Sequence, residues 1–181
     1  MNKLLLLISI YILLQSTGVH SQNIIAVQNG NNVTLYNQLD SAINQANNGD
    51  TIYIPGGNYF GDLHINKEVH IIGTGYNQDS MVSMIPTRIF GPTFFHLGSD
   101  STTITGIFFA SPITRYNTEL VSSVIITRSF LAGGFNLNLT NWTFIQNVIE
   151  GMTQAVYAEK CNFFNNIFSS LTNFRDLPKF N

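Results

Sequence analysis

The sequence predicts an all-β solenoid that begins with one short helix. Two observations predict this fold class: a repeat of roughly 20 residues in the second half of the chain, and a single amphipathic helix pattern nearer its start. The composition agrees, because 44% of the 181 residues are hydrophobic and only 10% are charged. Globular domains average about 25% charged residues. A chain of this length suits one domain with a sizeable core.

The repeat consists of four segments that align without gaps and follow one another at a variable spacing close to that period. The first positions are Ile104, Ile126, Phe144 and Phe163, the sixth are Phe109, Leu131, Ile149 and Phe168, and shortly before each start lie Thr102, Val124, Trp142 and Cys161. Stacked copies are expected to bury these side chains in continuous columns, with coils about 4.8 Å apart. At the fourth position, Asn147 and Asn166 predict an internal ladder of side-chain amides at a turn.

The helix pattern comes from five apolar residues at three- and four-residue steps, which predict a helix over about residues 35–47. They are Leu35, Leu39, Ala42, Ile43 and Ala46. Gly49 suits the left-handed position that ends a helix. Residues 22–34 are predicted to be an irregular leading segment.

Residues 1–21 predict a secretory signal peptide. Lys3 precedes an apolar run from Leu4 to Leu14, and Ser21 provides a small residue for cleavage. The run is shorter than the roughly 20 residues that span a bilayer. The mature chain is therefore predicted to be secreted or at the cell surface, with no membrane span. Its lone cysteine, Cys161, leaves no internal disulfide.

The segment from Leu39 to Tyr59, which contains Gly-Asp-Thr-Ile-Tyr-Ile-Pro-Gly-Gly-Asn-Tyr, resembles the N-terminal opening of proteins of the pectin-lyase-like superfamily. The segments His64–Gly75 and Ile104–Phe109 resemble later strands of the same family. The resemblance implies a right-handed parallel β-helix over residues 35–170, with the helix at 35–47 capping its open end. This family includes polysaccharide lyases, hydrolases, epimerases, adhesins and stalks, so the resemblance implies a fold more than an activity.

The chain departs from the family in its small number of coils and in its last segment. Residues 171–181 form a short, mixed tail without a clear capping pattern, although a solenoid needs a cap at each end. Two hypotheses follow: further coils are missing beyond this tail, or a second copy of the chain covers the open end.

A candidate binding surface lies on the strands that the family commonly uses for ligands. Alternation along these strands directs His96, Asn136, Asn138 and Tyr157 outward. Amides bind hydroxyls and aromatic rings stack on sugar faces, so these residues predict polysaccharide as the partner. The same register directs inward Phe95, Leu97, Phe135, Leu137, Leu139 and Val156.

Other ligand classes lack support in the sequence. The formal net charge of −2 does not favour nucleic acid. His64 and His70 lie close in sequence but have no evident third ligand, so neither a metal nor another cofactor is predicted.

Three functions remain open. The chain is predicted to be a non-catalytic carbohydrate-binding or surface-display domain. The first alternative is the N-terminal part of a polysaccharide lyase or glycoside hydrolase, whose catalytic residues would lie elsewhere, because carboxylates are few and unpaired here. The second alternative is a structural stalk or adhesin segment.

Overall fold

The computed structural model describes residues 23–76, 85–117, 119–151, 153–169 and 172–174, with side chains omitted for 153–158 and 172–174. This part of the chain forms the predicted solenoid, a parallel β-helix in which three strands follow one another around each coil. The predicted signal peptide and most of the tail at 171–181 lie outside the described residues, as do the side chains of Val156 and Tyr157.

The coils build three sheets. Sheet A contains β1 (Ile25–Asn29), β2 (Asn32–Tyr36), β3 (Asp50–Tyr53), β6 (Val69–Ile72), β9 (Thr103–Thr105), β12 (Ile125–Thr127), β15 (Thr143–Ile145) and β18 (Asn162–Phe164). Sheet B contains β4 (Gly57–Tyr59), β7 (Thr87–Ile89), β10 (Phe108–Phe109), β13 (Phe130–Leu131), β16 (Val148–Ile149) and β19 (Ile167–Phe168). Sheet C contains β5 (Leu63–Ile65), β8 (Thr93–Phe95), β11 (Ile113–Arg115), β14 (Phe135–Thr140), β17 (Thr153–Glu159) and β20 (Thr172–Phe174).

The N-terminal region differs from the prediction. The leading segment is not irregular, because β1 and β2 form a hairpin and β1 pairs antiparallel with β3. Helix α1 (Leu39–Gln45) is shorter than the predicted 35–47. Leu35 lies on β2, where it pairs with Ala26 and is 62% exposed. The hairpin hydrogen bonds and the β-preferring residues around Leu35 outweigh its helical spacing.

Helix α1 buries the apolar face that the sequence predicts and lies before the first coil. Leu39, Ala42 and Ile43 are buried, and the helix contacts β1, β2 and β5. The ammonium group of Lys67 donates to the carbonyls of Asn44 and Ala46, both at 2.8 Å. A cation at this end satisfies carbonyl oxygens that the helix itself leaves unpaired. Lys67 therefore joins the helix to the following coil.

The apolar columns of the repeat are present in the core. Ile104, Ile126 and Phe144 pair in register on sheet A and are buried. The Phe163 ring continues the column, stacked on Phe144 with centroids 4.9 Å apart and planes 4° from parallel. Phe168 also continues its column, but it lies in the last described coil and is 40% exposed.

A turn with left-handed backbone recurs at the third position of every repeat. Gly106, Arg128, Gln146 and Asn165 have φ values of 71°, 47°, 56° and 54°. Apart from glycine, this conformation costs roughly 1–2 kcal/mol per residue. Inter-coil backbone hydrogen bonds hold the first three of these residues in place: the Arg128 N–H donates to Ile145 O at 3.0 Å, for example.

The ladder residues lie beside this turn. The Asn147 amide donates to Asn166 Oδ1 at 3.0 Å and to Ile126 O at 2.9 Å. Its own Oδ1 accepts from the Ser129 N–H at 2.9 Å. Asn147 is buried, so these bonds replace the ones it would make with water.

The predicted inward direction of Leu97 is wrong, since this side chain is 63% exposed. β8 ends at Phe95, and alternation no longer applies beyond it. Gly98, with φ of 93°, turns the chain, and the Leu97 N–H donates to Glu119 Oε2 at 2.9 Å. The other inward residues with described side chains are buried: Phe95, Phe135, Leu137 and Leu139.

Candidate functional site

The outer face of sheet C carries the predicted binding residues. Asn136 and Asn138 lie on β14, where they alternate with buried leucines; Asn136 is exposed and Asn138 half-buried. His96 directly follows β8. Tyr157 lies on β17 in register with Asn138, but its side chain is outside the described part. The predicted residues therefore come from three levels of one sheet and its margin, with β11 between the levels of β8 and β14.

The structure adds three aromatic neighbours that sequence reasoning missed. His64 on β5 stacks on Phe94 of β8, with ring centroids 5.0 Å apart. The Tyr116 ring follows β11 and lies 4.2 Å from the His96 ring, centroid to centroid. We call the six residues of this surface the sheet C strip: His64, Phe94, His96, Tyr116, Asn136 and Asn138.

A direct contact between two imidazoles dominates one end of the strip. His64 Nδ1 lies 2.8 Å from His96 Nε2, a hydrogen-bond distance. One nitrogen must donate and the other accept, so at least one of the two rings is neutral when this bond forms. The bond fixes the orientation of both rings on the surface.

A carboxylate lies on the opposite side of His96. Glu119 Oε2 is 3.6 Å from His96 Nδ1 and also accepts from the Leu97 N–H. Burial lowers the pKa of His96; the negative charge of Glu119 opposes this effect, and His64 adds to it. Both nitrogens of His96 therefore face protein groups, and the part of this residue that remains for a ligand is the ring itself.

Asn138 brings an unpaired acceptor to the strip. Its Oδ1 is buried and has no hydrogen-bond partner in the described structure. The pairing of β14 with β17 shifts register between Leu137 and Asn138, which places a β-bulge beside this amide. A buried acceptor without a partner costs about 1–3 kcal/mol. Because the atom is inaccessible to solvent, a ligand hydroxyl could pair with it only after a local rearrangement of the strand.

The structure supports neither a metal site at His64 and His70 nor a nucleophilic role for Cys161. His64 and His70 lie on different sheets, and His70 Nδ1 is 2.8 Å from the Thr103 hydroxyl. Among the described residues, no three His, Cys, Asp or Glu side chains form a group that could hold a metal ion. Burial raises the pKa of the half-buried Cys161 thiol, whose Sγ lies 3.4 Å from Leu139 O, so its nucleophilic thiolate is disfavoured.

Comparison with known proteins identifies no relative of this chain. No family model, no curated protein and no solved structure matches the chain. Membership of the pectin-lyase-like superfamily therefore remains a prediction from the quoted motifs. Of the described helices, none is long and apolar enough to cross a membrane.

Proposed function

We propose that this chain is a non-catalytic domain of an exported protein, secreted or displayed at the cell surface, that binds polysaccharide along the sheet C strip. The observation that carries the proposal is the clustering of Asn136 and Asn138 on the same face as the aromatic group around His96. Amides, neutral imidazoles and aromatic rings are the groups that bind sugar hydroxyls and sugar faces.

The charge of the strip favours a neutral polymer. Its six residues include no carboxylate and no lysine or arginine, and its one acidic neighbour with a described contact to His96 is Glu119. Acidic polysaccharides are usually held by arginine or lysine, which match carboxylate groups. Glu119 would instead repel them.

The same composition supports binding rather than hydrolysis. Glycoside hydrolysis uses two carboxyl groups on either side of the scissile bond, about 5–10 Å apart. Two described carboxylates lie near the strip: Glu119 already accepts from a backbone N–H, and Glu159 ends β17 with Lys160 Nζ 3.7 Å from its Oε1. The lyase or hydrolase alternative thus requires residues outside this surface.

We predict that Asn136→Ala weakens polymer binding roughly fivefold, the effect of losing one hydrogen bond between exposed partners. The measurement is affinity electrophoresis of the mature chain through gels that contain neutral or acidic polysaccharides. Asn162→Ala is the matched control, because Asn162 is an exposed amide on sheet A rather than sheet C.

Retardation by a neutral polymer that weakens in Asn136→Ala alone supports the proposal. Uniform mobility of the wild-type chain across all gels refutes it and favours a structural stalk. Equal weakening in both variants also refutes it, because the two amides lie on different sheets.

A further inference from the structure

A concave surface lies at the N-terminal end of the solenoid, and none of the residues of the sheet C strip lines it. It is a cleft of about 320 Å³ between the start of α1 and the end of β4. This volume is at the lower end of the range of small-molecule sites, roughly 300–1,000 Å³. The lining residues are Asn23, Asn37, Gln38, Leu39, Asp40, Asn58, Tyr59 and Phe60.

The lining combines amides with aromatic rings. Four side-chain amides come from three separate segments of the chain, and Asp40 adds a carboxylate. Each amide offers both donors and an acceptor, which suits the hydroxyls of a sugar. Asp40 accepts from hydroxyls but repels anions, so a neutral ligand fits this cleft better than an acidic one.

Phe60 supplies an exposed aromatic ring to the cleft. One face of its ring stacks on Phe90, with centroids 5.0 Å apart and planes 17° from parallel. Among the described strands, β4 is the terminal one of sheet B, so no described coil of that sheet covers the other face. Phe60 is accordingly 76% exposed while it lines the cleft.

The Phe108 ring, inside the column of sheet B, lacks this free face. Phe108, also on sheet B, stacks on Phe130 with centroids 4.9 Å apart, while the Arg88 guanidinium lies 5.7 Å over its ring. Rings covered on both sides present only their edges to solvent. A flat ligand such as a pyranose ring can stack on a free face, as at the end of the column formed by Phe60 and Phe90.

The walls of the cleft are held by internal contacts. The Tyr59 hydroxyl donates to Pro55 O at 3.0 Å, and burial raises the pKa of Tyr59 to about 12. The Asn23 amide packs against Gly57 so closely that a Cβ there would clash with it. A site whose walls are already ordered loses less entropy when a ligand binds.

We propose that this cleft binds the end of a neutral oligosaccharide, one or two sugar units long, with a sugar ring stacked on Phe60. The proposal goes beyond polymer binding on the sheet C strip, since it assigns a separate site with different residues. Its concave shape and small volume favour a short saccharide or a chain end, whereas the open strip favours a polymer.

The test is saturation-transfer NMR and titration calorimetry of the mature chain with a panel of neutral mono- and disaccharides. We expect Phe60→Ala to lower the affinity for the sugar about tenfold, the loss expected for one stacked ring. Phe164→Ala is the matched control, because Phe164 is an exposed phenylalanine on β18 at the other end of the solenoid. Asn37→Ala provides a second variant of the cleft, since it removes an exposed lining amide.

Weakening in Phe60→Ala and Asn37→Ala, but not in Phe164→Ala, supports the proposal. Absence of binding to every sugar, or equal weakening in Phe164→Ala, overturns it. These results are independent of the polymer test. Phe60→Ala is expected to leave polymer retardation through the strip unchanged, and Asn136→Ala to leave the affinity for small sugars unchanged. Either proposal can therefore be refuted without the other.

Discussion

At the scale of single residues, His96 gives the site a dependence on pH. Its burial favours the neutral ring and lowers its pKa below the usual value of 6.5. Folding therefore opposes protonation of His96. Its contribution to stability is complete above pH 6.5 and is lost as the pH falls through the lower folded pKa.

We predict that the melting temperature of the wild-type chain falls between pH 7 and pH 5, and that His96→Gln reduces this fall. Thermal melts followed by circular dichroism over this range provide the measurement. His70→Gln is the control, because His70 lies on sheet A and no electrostatic effect of its ring on His96 is found. The same fall in wild type and His96→Gln would contradict the assignment to His96.

The sequence identified part of the candidate site and missed the rest for a physical reason. Alternation along β14 depends only on neighbouring residues, so the directions of Asn136 and Asn138 could be predicted. The contact between His64 and His96 joins residues 32 positions apart. That separation is longer than the spacing of the later repeats, because the connection between β6 and β7 is long, and the register of these early coils could not be counted from the sequence.

At the scale of elements, the buried hydrogen bonds of the amide ladder make a large contribution to the free energy of unfolding. We predict that Asn147→Ala destabilises the fold by on the order of 3 kcal/mol, because the Ser129 N–H and Ile126 carbonyl both lose a buried partner. Urea unfolding measures this loss. Asn162→Ala, at an exposed amide, is expected to change the free energy of unfolding by less than about 0.5 kcal/mol. Similar losses in both variants would argue against the ladder.

The helix boundary shows where local pattern misled the prediction. Leu35 has the spacing of a helical residue, yet it belongs to β2 because β1 provides a pairing strand. The pairing of β1 with β3 places the hairpin at the margin of sheet A, a long-range contact that helical periodicity does not report. Leu39, Ala42 and Ile43 lie beyond this hairpin and follow the prediction.

At the scale of the whole molecule, the repeat determined most of what could be predicted. Each coil has the same need to bury apolar side chains, so the same positions recur and the columns can be recognised without a structure. The terminal coils of the described part do not follow this rule, because each has a described neighbouring coil on one side only.

We predict that the difference in stability between an inner coil and the last described coil is measurable at two phenylalanines of the same column. Phe109→Ala should cost about 3–5 kcal/mol, the usual loss for a buried ring, because Phe109 lies between two coils and is buried. Phe168→Ala should cost less than half as much, because Phe168 is partly exposed in the last described coil. Urea unfolding compares the two variants. Equal costs would indicate that a further coil or a second copy covers Phe168 in solution.

The hydrogen bonds between coils all run along the axis of the solenoid, and this direction has a mechanical consequence. A force that pulls the two ends apart acts on all junctions between coils in series, so the weakest junction yields first. On sheet B each of the later junctions is a pairing of just two residues, such as Phe130 with Val148. An anchored chain of this kind would extend by peeling off single coils, rather than by yielding as one block.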